Sequence, residues 1–143
     1  MHSRTLPIVG EQGLAKLQSS HVLVVGLGGV GGYAAEMLCR AGIGKLTLVD
    51  GDSVSVSNLN RQVIATRSSL GQSKAELFAN RFRDINPDSE VIPVVEFLRD
   101  ERMKELLMSA SFDFVVDAID SLSPKVFLLY HSFSLGLPIV SSM

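Results

Sequence analysis

Short apolar runs alternate along the chain with longer segments in which apolar residues recur every three or four positions. The short runs predict buried strands at 21–25, 45–49, 90–95, 112–116 and from 138 onward. The longer segments predict amphipathic helices at 11–20, from the glycine cluster to about 40, 70–86, 100–109 and 123–135. Strands that alternate with helices predict an α/β fold, namely a doubly wound (Rossmann-like), mostly parallel sheet with helices on both faces.

Glycines and prolines mark the limits of several of these elements. Gly42 and Gly44 are predicted to end the helix that follows the first strand, and Pro87 is predicted to end the helix at 70–86. Pro93 lacks a backbone donor, so its strand is predicted at a sheet edge or at a bulge. The segment 51–69 is predicted to be a long polar loop, and such loops are usually functional or mobile.

The two ends of the chain carry further expectations. Residues 1–9 are predicted to be irregular, and the helix at 11–20 is expected to lid the sheet. We expect 1–20 to form an N-terminal arm and helix, and 21–143 to form one domain. The sequence stops inside an apolar strand with no covering element, so we expect the N-terminal portion of a longer protein.

Composition agrees with a covered parallel sheet. Of the 143 residues, 46% are hydrophobic and 20% are charged, which indicates a globular core. The mean hydropathy of +0.29 fits strands that are buried on both faces. No apolar stretch is long enough to span a bilayer and no signal pattern begins the chain, so we expect a cytoplasmic location and no membrane partner.

Cysteine usage and net charge narrow the candidate chemistry. The single cysteine, Cys39, excludes an internal disulfide framework and a Cys-x-x-Cys zinc pair in this segment. The net charge of −2 predicts no broad positive surface for a polyanion. If the substrate is RNA, its contacts are expected mostly outside this segment.

The glycine cluster after the first strand is the main candidate site. Gly26, Gly28 and Gly31 form a G-x-G-x-x-G pattern between a predicted strand and a predicted helix. Glycine lets the backbone turn sharply and approach a ligand, and the helix N-terminus attracts anions. The pattern therefore predicts a nucleotide phosphate site, with tight turn packing as the alternative.

Carboxylates follow two other strands at the same predicted edge of the sheet. Asp50 ends the second strand at the spacing expected for a carboxylate that accepts ribose hydroxyls. Asp117 and Asp120 follow the fourth strand, and two carboxylates beside a phosphate suit Mg²⁺. A strand-end cap or an N-cap is the structural alternative for each of these aspartates. Arg61 and Lys74 are candidates to offset phosphate charge, although residues at this spacing alone are more often solvated surface residues.

Together these motifs resemble the superfamily of ATP-dependent adenylating enzymes, which includes the activators of sulfur-carrier proteins and the ubiquitin-activating enzymes. The resemblance implies that Asp50 holds the ribose, that Asn58, Arg61 and Lys74 handle the triphosphate, and that Asp120 binds Mg²⁺. It makes 21–143 an ATP-binding adenylating domain and implies a homodimer, in which Arg4 reaches the neighbouring protomer's site. The nucleotide contacts it implies are Gly26, Gly28, Gly29, Gly31, Asp50, Asp52, Asn58, Arg61, Gln62, Lys74, Asp117 and Ser121, and the catalytic set is Arg4, Arg61, Lys74 and Asp120.

One departure narrows the resemblance. Carrier-protein activators usually place Asn after the second aspartate and Arg a few residues on, whereas this chain has Asp120-Ser121-Leu122-Ser123-Pro124-Lys125. That run, with 8–11 and 85–87, resembles the tRNA threonylcarbamoyladenosine dehydratases. The resemblance implies that a carboxylate on a modified adenosine of tRNA is activated and then closed into a ring.

Three alternatives stay open. Activation of the C-terminus of a ubiquitin-like sulfur-carrier protein uses the same chemistry. A nicotinamide-dependent oxidoreductase would use the same glycine loop and Asp50, but it would not need Arg61 and Lys74. A nucleotide-binding module without catalysis is the third.

Overall fold

The computed structural model describes residues 1–142. The strands are β1 His21–Val25, β2 Lys45–Val49, β3 Glu90–Val94, β4 Phe114–Asp117 and β5 Ile139–Ser141. The helices are α1 Leu6–Ser19, α2 Gly31–Ala41, α3 Lys74–Ile85, α4 Asp100–Met108 and α5 Leu122–Ser134. No helix within this range is long and apolar enough to cross a bilayer.

All five strands form one parallel sheet in the order β3-β2-β1-β4-β5. The order reverses beside β1, which places a crevice at the carboxyl ends of β1 and β4. β3, which contains Pro93, is an edge strand as predicted, because an edge tolerates the missing donor. The doubly wound α/β prediction is confirmed.

Two apolar clusters, one on each side of the sheet, explain why the strands are continuous apolar runs. Alternate β1 side chains go to opposite clusters: Val22 and Val24 join one, Leu23 and Val25 the other. The first cluster contains side chains of α2 and α3, and the second contains side chains of α4 and α5. Helices therefore cover both faces.

The N-terminal predictions were partly wrong. Helix α1 begins at Leu6 instead of residue 11 and is interrupted at Gly10, whose φ is +71°. None of its residues is buried, and only its Leu17 packs against a core cluster, so α1 does not lid the sheet. Its apolar residues form too weak a stripe to bury a face of the helix.

The polar segment and the helix after it also differ from prediction. Two short 3-10 turns, Val56–Asn58 and Arg67–Ser69, give the 51–69 segment local structure, and each has a reciprocal capping box. Helix α3 begins at Lys74, because Ser73 caps it by accepting from the Glu76 N–H, and Gly71 before it has a left-handed φ of +80°. The helix therefore begins four residues later than the position 70 that periodicity alone predicted.

Candidate nucleotide-binding site

A cavity of about 900 Å³ opens at the carboxyl edge of the sheet. Its walls come from the glycine loop after β1, the end of β2, the polar segment, the loop after β3 and the turn after β4. A volume of this size suits a nucleotide or another ligand of similar size. Separate predictions made along the chain thus converge on one space.

The glycines of the loop have two different roles. Gly26 has a φ of +92°, and a Cβ there would lie 2.6 Å from the carbonyl oxygen of Ala118. A Cβ on Gly31 would collide with the carbonyl oxygen of Gly26, so these two glycines permit tight packing. Gly28 and Gly29 line the cavity, and a Cβ on either would meet only side chains at 3.6 Å or more. These two therefore leave room for a ligand.

The start of α2 adjoins the cavity: Val30 lines its wall, while the Gly32 N–H already donates to the Gly28 carbonyl oxygen at 3.0 Å. Within the described residues, Val30 at the N-cap position makes no side-chain cap, and the first turn contains no acidic residue. The first N–H groups of a helix lack intrahelical acceptors and carry partial positive charge. This terminus is suited to an anion.

Asp50 lies where a ribose contact was predicted, and the backbone holds its carboxylate. Oδ2 accepts from the Leu27 N–H at 2.7 Å, and Oδ1 accepts from the Asp52 N–H at 2.7 Å. Burial raises the pKa of Asp50, while these two backbone hydrogen bonds oppose the shift. The side chain is thus fixed at the rim of the glycine loop.

The two predicted cations differ in setting. Lys74 is only 4% exposed at the start of α3, and its Nζ lies 3.5 Å from Oδ2 of Asp52. Arg61 is exposed, and its Nη1 donates to the Ser57 carbonyl oxygen at 2.8 Å and to Asn60 Oδ1 at 3.0 Å. Both side chains line the cavity.

Gln62, Asp120 and Ser121 also reach the cavity as predicted. Gln62 is 7% exposed, and its Oε1 has no hydrogen-bond partner within residues 1–142. A buried polar atom without a partner is unfavourable, which indicates a group that meets a ligand or water. Asp120 and Ser121 are exposed in the turn between β4 and α5.

Asp117 requires a correction. It is 1% exposed and does not line the cavity, because Lys125 donates to its Oδ2 at 2.6 Å and Ser141 donates to the same oxygen at 2.6 Å. Its Oδ1 accepts from the Ile119 N–H at 3.0 Å. The predicted pair of carboxylates at the phosphate is therefore wrong: Asp117 supports the turn and Asp120 faces the cavity.

Three further predicted residues, Gly31, Asn58 and Arg4, lie outside the cavity. Asn58 is buried, and its Oδ1 accepts from the Ser55 N–H at 2.9 Å, so its side chain stabilises the polar segment instead of lining the cavity. Arg4 is exposed near His2, whose ring packs on Gly42 at the far end of α2. Arg4 is therefore at the opposite end of α2 from the glycine loop.

Sequence reasoning missed the loop after β3. Glu96, Phe97, Leu98 and Arg99 line the cavity, and the Phe97 ring packs against Gly51 while remaining 62% exposed. Arg102 holds Glu96 with two hydrogen bonds, of 2.8 and 2.9 Å. The signal for this loop was its position, since β3 also ends at the carboxyl edge of the sheet.

The charges that line the cavity are mixed. Five carboxylates (Asp50, Asp52, Glu96, Asp100 and Asp120) oppose three cations (Arg61, Lys74 and Arg99). A polyphosphate in this cavity would need further positive charge. No group of three or more His, Cys, Asp or Glu side chains that could hold a metal occurs in the described part of the chain. Mg²⁺ does not need such a group, because it binds one or two carboxylates together with phosphate and water oxygens.

Comparisons with known proteins agree with this fold. The tRNA threonylcarbamoyladenosine dehydratase of Escherichia coli is 42% identical over 138 residues, which are 96% of this chain and 51% of that protein. The molybdopterin-synthase adenylyltransferase of the same organism is 39% identical over 129 residues, 90% of this chain and 51% of that protein. The crystal structure of the E. coli dehydratase in complex with ATP superposes with a TM-score of 0.92, covering 96% of this chain and 56% of that one.

The chain spans about half the length of these relatives. Within that half, the glycine loop, the strand-end aspartates and the cations lie in the order that the predicted signature requires. The ThiF family model matches residues 2–143. The chain therefore belongs to the ThiF family.

Proposed function

We propose that this chain is the ATP-binding part of an enzyme that adenylates a carboxylate, namely that of the threonylcarbamoyl group on a modified adenosine of tRNA. One observation carries the proposal: the glycine loop, Asp50, Lys74 and Asp120 line a single cavity. The relatives support the proposal. One is named a tRNA threonylcarbamoyladenosine dehydratase and was crystallised with ATP, and another is named a molybdopterin-synthase adenylyltransferase.

In the proposed complex each group acts on a different part of ATP. Asp50 accepts the ribose hydroxyls, and Gly28 and Gly29 let the phosphates approach the amides at the start of α2. Arg61 and Lys74 offset phosphate charge, while Gln62 can donate through Nε2 or accept through its unpartnered Oε1. Phe97 offers an apolar surface for the base.

Asp120 is the proposed cation ligand, and the site fits Mg²⁺. Its carboxylate is exposed to the cavity, whereas Asp117 is occupied by Lys125. A bound Mg²⁺ would neutralise phosphate charge and help pyrophosphate to leave. We also propose a homodimer in which Arg4 of one copy serves the cavity of the other, because the cavity has more carboxylates than cations and Arg4 lies away from its own. We further propose that the enzyme is cytoplasmic, because Cys39 is a free thiol and the proposed substrate is tRNA.

The proposed reaction has two steps. A substrate carboxylate oxygen attacks the α-phosphorus, the bond from that phosphorus to the bridging oxygen breaks, and pyrophosphate leaves an acyl adenylate. A nucleophile within the substrate then attacks the acyl carbon, and the ring closes as AMP leaves. The protein contributes position and prearranged charge in this scheme, and no side chain becomes covalently bonded.

Calorimetric titrations of the full-length protein test the nucleotide. We expect ATP with Mg²⁺ to bind and NADH to bind at least about tenfold more weakly, a difference of roughly 1.4 kcal/mol. Tighter binding of NADH would support the oxidoreductase alternative. Asp120→Ala should abolish ATP-dependent cyclisation without lowering the melting temperature, and Asp84→Ala, an exposed aspartate of α3, is the matched control.

The substrate is tested by what stimulates ATP cleavage. We expect threonylcarbamoylated tRNA to stimulate release of pyrophosphate, and a ubiquitin-like sulfur-carrier protein not to do so. Stimulation by the carrier alone would favour an enzyme that activates sulfur-carrier proteins. The 39% identity to the molybdopterin-synthase adenylyltransferase is the reason to test this alternative. ATP binding without cleavage under either condition would favour a non-catalytic module.

A further inference from the structure

A buried ion pair lies directly behind the cavity, between α5 and the carboxyl end of β4. Lys125 is 6% exposed and Asp117 is 1% exposed, and Nζ of Lys125 donates to Oδ2 of Asp117 at 2.6 Å. Burying two ions opposes folding, and apolar residues of similar volume often stabilise a protein as well or better. Stability alone is therefore a weak reason for this pair.

The same ammonium group connects three elements. Besides Asp117, Nζ donates to the Ser142 carbonyl oxygen at 2.6 Å and to Ser141 Oγ at 3.3 Å. Ser141 in turn donates to Asp117 Oδ2 at 2.6 Å. Lys125 thus ties α5 to the carboxyl ends of β4 and β5, and Ser142 lines the cavity.

The other oxygen of Asp117 controls the turn that follows. Oδ1 accepts from the Ile119 N–H at 3.0 Å, which fixes the start of the 118–121 turn. Ala118 in that turn packs against Gly26 and Gly31 of the glycine loop. Asp120, one residue after the anchored amide, faces the cavity. A tilt of the turn would therefore move the Asp120 carboxylate relative to the glycine loop.

We propose that Lys125 is a positioning residue, which acts through Asp117 and the 118–121 turn to place Asp120 for the cation that accompanies ATP. The inference rests on the proposed function, because it requires ATP and a divalent cation in the cavity. Lys125 does not line the cavity, so it acts through Asp117 and not by contact with the ligand.

Variants of similar side-chain size in the full-length protein test whether Lys125 positions Asp120 or only stabilises the fold. Lys125→Met leaves the Asp117 carboxylate buried without its cation, so the turn should shift. Asp117→Asn keeps Lys125 but leaves one side-chain oxygen for three donors, namely Lys125 Nζ, the Ser141 hydroxyl and the Ile119 N–H, so the turn should shift again. In the double variant, the neutral amide at position 117 keeps its oxygen for the Ile119 N–H, and the turn should return.

The primary measurement is the Mg²⁺ concentration that gives half-maximal ATP binding. We expect each single variant to raise it about tenfold and the double variant to restore it to within about threefold, within the usual range of coupling between contacting residues. ATP binding without Mg²⁺ should change far less than the Mg²⁺ requirement in all three variants. Hydrogen exchange at the Ile119 amide in the nucleotide-free protein should be faster in the single variants only, and Lys104→Met, an exposed lysine of α4, is the matched control.

The outcomes distinguish the inference from the function on which it rests. If ATP binds to the wild type without any Mg²⁺ effect, or if Asp120→Ala keeps that effect, the role of Asp120 is refuted. If Asp120 matters while both single variants keep the wild-type Mg²⁺ requirement, the positioning role of Lys125 is overturned. If Lys125→Met does not fold, rescue of Asp117→Asn by the second substitution supports the inference, and absence of rescue overturns it.

Discussion

Two single substitutions in the glycine loop, Gly31→Ala and Gly28→Ala, should separate the role of the loop in packing from its role in ligand binding. At Gly31 the added Cβ would collide with the Gly26 carbonyl oxygen and would lie 2.9 Å from Ala118 Cβ. At Gly28 it would meet only Gln62 Nε2, at 3.6 Å, which is an ordinary contact. The two substitutions add the same methyl group, at Gly31 against packed backbone and at Gly28 in the wall of the cavity.

The expected magnitudes follow from these contacts. Gly31→Ala forces a backbone shift in a packed region, which costs about 3 kcal/mol. For a domain of this size, that lowers Tm by about 6–12 °C. Gly28→Ala should change the free energy of unfolding by less than about 0.5 kcal/mol. Its methyl group would occupy the space through which a phosphate reaches the α2 amides, so ATP affinity should fall by about tenfold or more, roughly 1.4 kcal/mol.

Thermal melts in the absence of nucleotide and calorimetric titration with ATP measure the two effects independently. Equal ATP affinity in Gly28→Ala and the wild type would show that the phosphates do not lie on this loop. A wild-type Tm in Gly31→Ala would show that the loop relaxes without strain, contrary to the close approach of the 118–121 turn.

Three further predictions concern titratable groups. Because burial raises the pKa of Asp50, ATP affinity should begin to fall on acidification at a higher pH than an ordinary aspartate would give, and Asp50→Asn should remove that dependence. Burial lowers the pKa of His21, so as the pH falls this imidazole is protonated at a higher pH in the unfolded chain than in the folded protein. Stability from neutral His21 is full above about pH 6.5 and is lost as the pH falls through the folded pKa, so melts at pH 7.5 and 5.5 should differ less in His21→Gln than in the wild type. Burial raises the pKa of Cys39 to about 11, so a thiol reagent at pH 7.5 should label it only as fast as the protein unfolds, and rapid labelling without denaturant would contradict the packed α2–α3 interface.

Side-chain direction at a strand end explains the main error in the site prediction. Asp117 and Asp120 are three residues apart and follow one strand, so sequence spacing makes them equivalent candidates. Lys125 in α5 and Ser141 in β5 hold Asp117 inside, and the turn leaves Asp120 outside. The partners lie 8 and 24 residues further along the chain, and no local pattern identifies them.

The polar segment and the loop after β3 show the same limit. Asn58 belongs to the signature, yet its side chain caps a 3-10 turn. Phe97 has no motif around it, yet it reaches the cavity because β3 lies beside β2. The interpretation of Asn58 came from assigning a role to a residue type, whereas Phe97 was missed because its contact exists only once the strands are ordered.

The sequence by itself determined the strands and most helices, the doubly wound sheet, the glycine loop and the positions of Asp50, Lys74 and Asp120 at one edge. The elements and the glycine loop depend on local periodicity and backbone conformation, which operate over a few residues; Asp50 and Asp120 follow from the rule that parallel strands end at the same edge, and Lys74 follows from the family resemblance. Only the tertiary structure decided which carboxylate faces the cavity, how far α1 packs and which loops complete the wall. Those outcomes depend on which distant side chains compete for the same buried hydrogen-bonding groups, and burial makes that competition decisive because an unpartnered polar group is costly there.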